Sequence, residues 1–203
     1  MQIENHKEEV PFAHYVRRFR EGNWAEDPNR LPGTQFDGEN FHVQLMHRSY
    51  VISHPEYSIR ALEEGPVPPL MVQTFMLRYL MESRHIPWLG QWKTFREMPW
   101  GEVYVKPFTG RALARAAFTF AYKLDAFRAA CEAIGGLPVE RGDAGYEFNF
   151  IGNYKMQIFV WAGDEEFPPS AQILYSDNFA EGFTAEDRVV AADILISTIK
   201  NHM

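Results

Sequence analysis

The block Asp164-Glu165-Glu166 places three carboxylates side by side, the group that ligates a hard cation or carries a proton. It sits between Gly163 and Phe167-Pro168-Pro169, where the same charges equally suit a solvated loop leaving a strand, and both readings stay open. Upstream, residues 86–108 gather Trp88, Trp92, Phe95, Trp100, Tyr104 and Phe108, with Arg96 and Lys106 among them and Arg111 just beyond. Flat rings beside a guanidinium or an ammonium suit a planar anionic small molecule such as a nucleotide or a tetrapyrrole. Large aromatics are also core residues first, and in an irregular segment they replace the burial that regular structure would give. The candidate ligand-binding set is Trp92, Arg96, Tyr104, Trp161, Asp164, Glu165 and Glu166. A binding module would use the rings and cations. An enzyme would use one of the three carboxylates as base or metal ligand beside Arg96 and Tyr104, and an interaction protein would use an exposed aromatic face for a homodimer or another protein contact.

Other chemistry has less to stand on. His42, His47 and His54 lie close together, but on an extended strand His42 and His47 fall on opposite faces, and no helical i, i+4 pair occurs, so no metal site is expected. Cys131 is the only cysteine, so this chain alone makes no intramolecular disulfide, cysteine-ligated zinc site or iron–sulfur cluster. It lies within an alanine-rich helical stretch and reads as packing. No nucleophile elbow, phosphate loop or dinucleotide fingerprint is present. The sequence points to no cofactor and no catalytic residue.

Composition narrows the class. With 20 Lys and Arg against 27 Asp and Glu the formal charge is −7, which argues against a nucleic-acid partner. Hydrophobic residues at 46% and aromatics at 15% specify a globular core, and 203 residues suit one domain, with residues 1–40 as a helical extension. Residues 1–10 are charged and lack a signal-peptide core, and no window is apolar enough for a membrane span, so a cytoplasmic protein without a membrane partner is expected.

Periodicity supplies the elements that must hold the candidates. Phe12, Tyr15, Val16 and Phe19 predict an amphipathic helix over 6–20. Residues 27–33, with Pro28, Pro32 and Gly33, read as a loop. The runs 41–46 and 50–54 predict a hairpin, and 70–83 a largely buried helix behind Pro68-Pro69. The aromatic segment 86–108 reads as irregular, with a short strand over 102–105. Residues 110–134 read as helix, broken near 122–124 and stopped by Gly135-Gly136. Runs at 146–151, 155–161 and 171–175 predict strands, the first two joined by a Gly152-Asn153 turn. Thr184 caps a last helix whose Val189, Ala192, Ile196 and Ile199 share a face. Strands and helices do not alternate strictly, so the expected fold is α+β, with a mainly antiparallel sheet packed against several helices in a single domain.

Particular runs also resemble a known family. Leu77-Arg78-Tyr79-Leu80, Gly90-Gln91-Trp92-Lys93-Thr94-Phe95-Arg96-Glu97, Ala133-Ile134-Gly135-Gly136 and, above all, Gly163-Asp164-Glu165-Glu166-Phe167-Pro168 are similar to the prokaryotic domain-of-unknown-function family DUF3786. The resemblance runs from about Phe41 onward. It implies a domain of anaerobic bacteria and archaea, sometimes attached to cysteine-rich segments that bind iron–sulfur clusters, and it transfers no catalytic residue. A chain with Cys131 alone departs from that arrangement.

Overall fold

A computed structural model describes residues 6–24, 26–27 and 30–203 of the chain. Pro28 and Asn29 of the expected loop lie outside the described residues, as do the first five residues. Two compact units emerge, Met1–Ile86 with Ile151–Asn153, and Pro87–Phe150 with Tyr154–Met203.

In the first unit the expected amphipathic helix is α1 (Glu9–Glu21), and Phe19 is its one fully buried residue. Four strands follow, β1 (Thr34–Phe36), β2 (Asn40–Leu45), β3 (Arg48–Ser53) and β4 (Ile59–Ala61), each antiparallel to the next. The expected hairpin forms, but pairing of Leu45 with Arg48 makes its turn Met46-His47, shorter than the 47–49 connection the sequence suggests. Phe41, Val43 and Leu45 point inward by period-two alternation, and Phe41 meets Phe19 edge to face at 5.9 Å. The last element is α2 (Leu70–Glu82), buried over most of its circumference as its apolar content requires, and packed on α1.

The second unit holds β5 (Trp92–Thr94), α3 (Gly101–Phe108), α4 (Arg115–Phe120), α5 (Leu124–Ala133), β6 (Leu137–Pro138), β7 (Ala144–Ile151), β8 (Tyr154–Trp161), β9 (Ser170–Ser176), α6 (Phe179–Gly182) and α7 (Ala185–Lys200). Strand order is β7-β8-β9-β5, with β6 on β7. The β6–β7, β8–β9 and β5–β9 pairs are antiparallel, and β7 and β8 are the arms of the Gly152-Asn153 hairpin. The class is α+β with antiparallel pairing, as the sequence predicts. One face of these strands is fully apolar: Tyr154, Met156, Ile158, Val160, Ile173 and Tyr175 are all completely buried. Helix α4 packs against β8 and β9, Tyr154 meets Phe179 and Phe183 edge to face, and the Tyr175 hydroxyl donates to the Arg188 carbonyl on α7 at 2.8 Å. Thr184 caps α7 as expected, in a reciprocal box with Asp187.

The strand expected over 102–105 is instead the middle of α3. Proline, glycine and alternating aromatics suggested extended chain there. What decides the helix is burial at its ends: Phe95 and Phe108 stack face to face at 4.1 Å, which only a compact turn between them permits. Pro107 removes one helical amide, and the wide π turn Thr109–Ala114 that follows absorbs the disturbance. A 3-10 turn, Ala121–Lys123, then separates α4 from α5, close to where the sequence predicts a break.

Candidate functional site

Helices cover one face of the β7-β8-β9-β5 strands, and the opposite face carries polar chemistry. Alternation in β8 turns Lys155, Gln157, Phe159 and Trp161 to that side, away from Met156 and Ile158. Register extends the face to Leu174, Gln172 and Ser170 of β9 and to Trp92 and Thr94 of β5. At its centre the Glu147 carboxylate accepts from Lys155 Nζ at 2.9 Å and from Gln157 Nε2 at 3.0 Å. Lys155 Nζ also lies 4.5 Å from the centre of the Trp88 ring, and Trp88 meets Trp92 edge to face at 5.4 Å. The loop bearing Trp88 is fastened by the Asp177 carboxylate, which accepts from the backbone amides of Leu89 and Gln91.

At the other end of the face, Arg141 lies over the Phe159 ring at 4.9 Å, beside Trp161. Its loop is rigidly held. Asp143 N donates to the Val160 carbonyl, Ala162 N donates to Asp143 Oδ2 at 2.7 Å, and Gly142, at φ +73, packs close to the Trp161 ring, where a Cβ would collide with the Val160 carbonyl. Residues 138–146 and Arg128 line a shallow hollow of about 500 Å³ that is open to solvent. Arg128 is engaged there with Asp125 and with the Asp143 carbonyl, whereas Arg141 has no ion-pair partner among the described residues. Tyr146 lines the hollow, and burial together with its hydrogen bond to Glu132 pushes its hydroxyl up to about 12.

The residues proposed from sequence are distributed over this unit. Trp92 and Trp161 share this face but pair with Ser176 and Ser170, six residues apart on β9, so about 20 Å separates them along the strand. Arg96 is exposed on the 3-10 turn Phe95–Glu97, its Nε donating to Glu102 at 2.9 Å, and Tyr104 is on α3. Asp164, Glu165 and Glu166 are exposed in the loop that follows Trp161. Asp164 organises that loop: its carboxylate accepts from the amides of Phe167 at 2.7 Å and Glu166 at 2.9 Å. Those amide bonds hold the Asp164 carboxyl below the usual carboxylate range. Such a group contributes stability above its unfolded pKa and loses it as the pH falls through the lower, folded value. Thermal unfolding followed from neutral to acid pH is therefore expected to show an acid-side decline that is shallower in Asp164→Asn; identical slopes would disprove the assignment.

Sequence reasoning missed Glu147, Lys155, Gln157 and Arg141, and named Trp88 only as part of the aromatic segment. The polar-apolar alternation from 155 to 158 was the available signal for the face, whereas the partners of Lys155 come from the pairing of strands. Cys131 is buried within α5, and burial raises its thiol, which fits packing. Among the described residues no group of three His, Cys, Asp or Glu side chains is placed to hold a metal ion, and no helix is long and apolar enough to cross a membrane.

The model of the family described as "Domain of unknown function (DUF3786)" matches residues 28–198. The chain belongs to the DUF3786 family. That match contains the whole Lys155–Trp161 sheet face, the Arg141 loop and the acidic loop after Trp161, so each is part of the DUF3786 domain itself. No curated protein and no solved structure matches the chain.

Proposed function

We propose that this chain is a ligand-binding accessory module whose site is the Arg141–Trp161 end of this second sheet face, and whose ligand is a planar anionic small molecule. The observation that carries the reading is the Arg141 guanidinium, without an ion-pair partner among the described residues, packed over the buried Phe159 ring and lining an open hollow of about 500 Å³. Ligand pockets commonly measure about 300–1,000 Å³ and pair apolar walls with a few fixed polar groups. Arg141 supplies the charge and the hydrogen-bonded 141–143 loop the rigidity that lowers the cost of binding, while Trp161, which packs against Gly142 beside the hollow and not in its lining, supplies a ring for stacking. On a chain of charge −7 a locally uncompensated cation favours an anion over a neutral analogue. An enzyme that uses Asp164 as its base has less support, because a carboxyl held ionised by its own loop is a weak proton acceptor. A role in anaerobic metabolism draws its support from the family resemblance alone.

Calorimetric titration with flavin mononucleotide and adenosine diphosphate, against riboflavin and adenosine as uncharged counterparts, tests the reading. The charged member of a pair is expected to bind at least about tenfold more tightly, and Arg141→Ala to remove that preference. Equal affinity for charged and uncharged members, or an unchanged Arg141→Ala profile, would refute it. Native mass spectrometry of protein purified anaerobically from its own host gives the resident ligand directly.

A further inference from the structure

The stretch Gly65-Pro66-Val67-Pro68-Pro69 leads from β4 into α2. Ring closure fixes φ at Pro66, Pro68 and Pro69, and each residue that precedes a proline, Gly65, Val67 and Pro68, is driven to an extended ψ. Together these restraints specify a left-handed polyproline II helix, and Pro69, at φ −55 and ψ 154, stands in that conformation. With three residues per turn, its edges are Gly65 with Pro68, Pro66 with Pro69, and Val67 alone. Burial separates the same edges. Pro68 is buried, whereas Pro66, Val67 and Pro69 are exposed, Val67 at 62%. The buried edge is anchored: the Pro68 carbonyl accepts from Gln73 Nε2 at 2.7 Å, and the Gln73 amide oxygen accepts from the Tyr57 hydroxyl at 2.7 Å. Tyr57 is set in turn edge to face against Phe12 and Phe19. The start of α2 does not call for this arrangement. The helix begins at Leu70, so no proline takes the first helical position, where it is favoured, and Pro69 supplies no side-chain cap.

We propose that this ridge is a docking segment for a partner protein whose groove is lined by aromatic rings, the kind of groove that reads polyproline II. Such grooves seat proline rings between Trp and Tyr side chains, whose N–H and O–H groups donate to carbonyls of the ligand. Both requirements are met here. Pro66 and Pro69 share one exposed edge a full turn, about 9 Å, apart. The Gly65, Pro66 and Val67 carbonyls accept no hydrogen bond from any described residue, so they are open to a partner's donors. Because the conformation is set before contact, ordering the segment adds little to the cost of association. Leu62, 57% exposed just after β4, adds an apolar side chain upstream. The charges around the ridge, Arg60, Glu63 and Glu64 with Arg48 beside Gly65, sum to zero, so recognition rests on ring shape and carbonyl hydrogen bonds.

The test replaces Val67 of the full chain with photoreactive benzoylphenylalanine, irradiates the purified protein in extract of its own host, and maps every adduct by mass spectrometry. The expected adduct lies on a partner surface that carries at least two Trp or Tyr side chains. Affinity for that purified partner is expected to fall at least about tenfold when Pro66→Ala and Pro69→Ala are combined in the unlabelled chain, with unchanged circular dichroism. Pro66→Ala alone, the exposed change farther from α2, repeats the measurement should the double variant lose structure. Labelling no stronger than from the same probe at the exposed Lys200 overturns the proposal. So does an adduct on a surface without such rings, and so does an affinity indifferent to the proline substitutions.

Discussion

Phe95→Ala is expected to lower the unfolding free energy of the second unit by about 4 kcal/mol. Phe95 is 2% exposed, stacks on Phe108 with the rings 8° from parallel, and lies beneath the Arg188 guanidinium, whose Cζ is 5.6 Å from the ring centre. Truncation removes the ring's transfer energy and leaves a cavity that the facing Phe108 and Tyr175 cannot fill without abandoning their own contacts. A second cost follows from Arg188. Burial disfavours its charged form and lowers its pKa, and the Phe95 face is one of the few groups that compensate, along with the Pro99 carbonyl. Phe95→Leu keeps most of the volume and is expected to cost about 1 kcal/mol, so the difference between the two variants isolates the cavity. Denaturant unfolding with both variants checks this, and a loss under about 1 kcal/mol for alanine would show that the stack is not a structural centre.

The second large effect is expected at Gly101, where alanine should cost about 3 kcal/mol. A Cβ at that position would stand 2.1 Å from the Phe95 carbonyl oxygen and 2.8 Å from that of Arg96. Both obstacles are backbone, so no side chain can rotate out of the way. Relief requires the 95–100 turn to open, which withdraws the left-handed Trp100 and breaks the Phe95–Phe108 stack, or it requires α3 to shift. Gly110→Ala is the internal control: its Cβ meets nothing, and a helical alanine is favoured over glycine by up to about 1 kcal/mol. Comparable unfolding midpoints for the two variants would show that the close approach at Gly101 is not what limits packing.

Both effects centre on the segment in which the sequence was hardest to read. Elements with one clean period were legible: α1 from Phe12, Val16 and Phe19, the β2–β3 hairpin from Phe41, Val43 and Leu45, α7 from its Thr184 cap. There local preference and burial agree, so either alone suffices. In 95–108 they conflict. Proline, glycine and aromatics argue locally for irregular chain, and the face-to-face contact of two rings thirteen residues apart overrides them. The candidate site was legible in part for a related reason. Trp92 and Trp161 could be singled out by type, but Glu147, Lys155 and Gln157 become a unit only when β7 and β8 are in register, and a residue's own neighbours in sequence carry no record of that pairing. Arg141 differs in kind: its interest comes from lacking a partner, which is a property of the folded surroundings. For the acidic block, sequence offered two readings, and the geometry gives Asp164 a definite task in closing its loop.

The wide turn Thr109–Ala114 has a consequence for chain length. Buried positions recurring every fourth residue slip by about 40° per step on a helix of 3.6 residues per turn, so Phe108 and Phe120 would end about 120° apart. One wide turn takes up roughly one residue and restores the alignment, acting as a phase insert between two ordinary helices. Deleting a single residue between 109 and 114 would leave every local helical preference intact. Because the wide turn already holds a surplus residue, the deletion would close it to an ordinary α turn and leave Phe118 facing out and Phe120 facing in, whereas the same deletion within α4 would rotate all that follows by about 100°. In this part of the molecule the count of residues is as binding a constraint as their identity: a one-residue gap should be tolerated within the turn where it is not in the helices on either side.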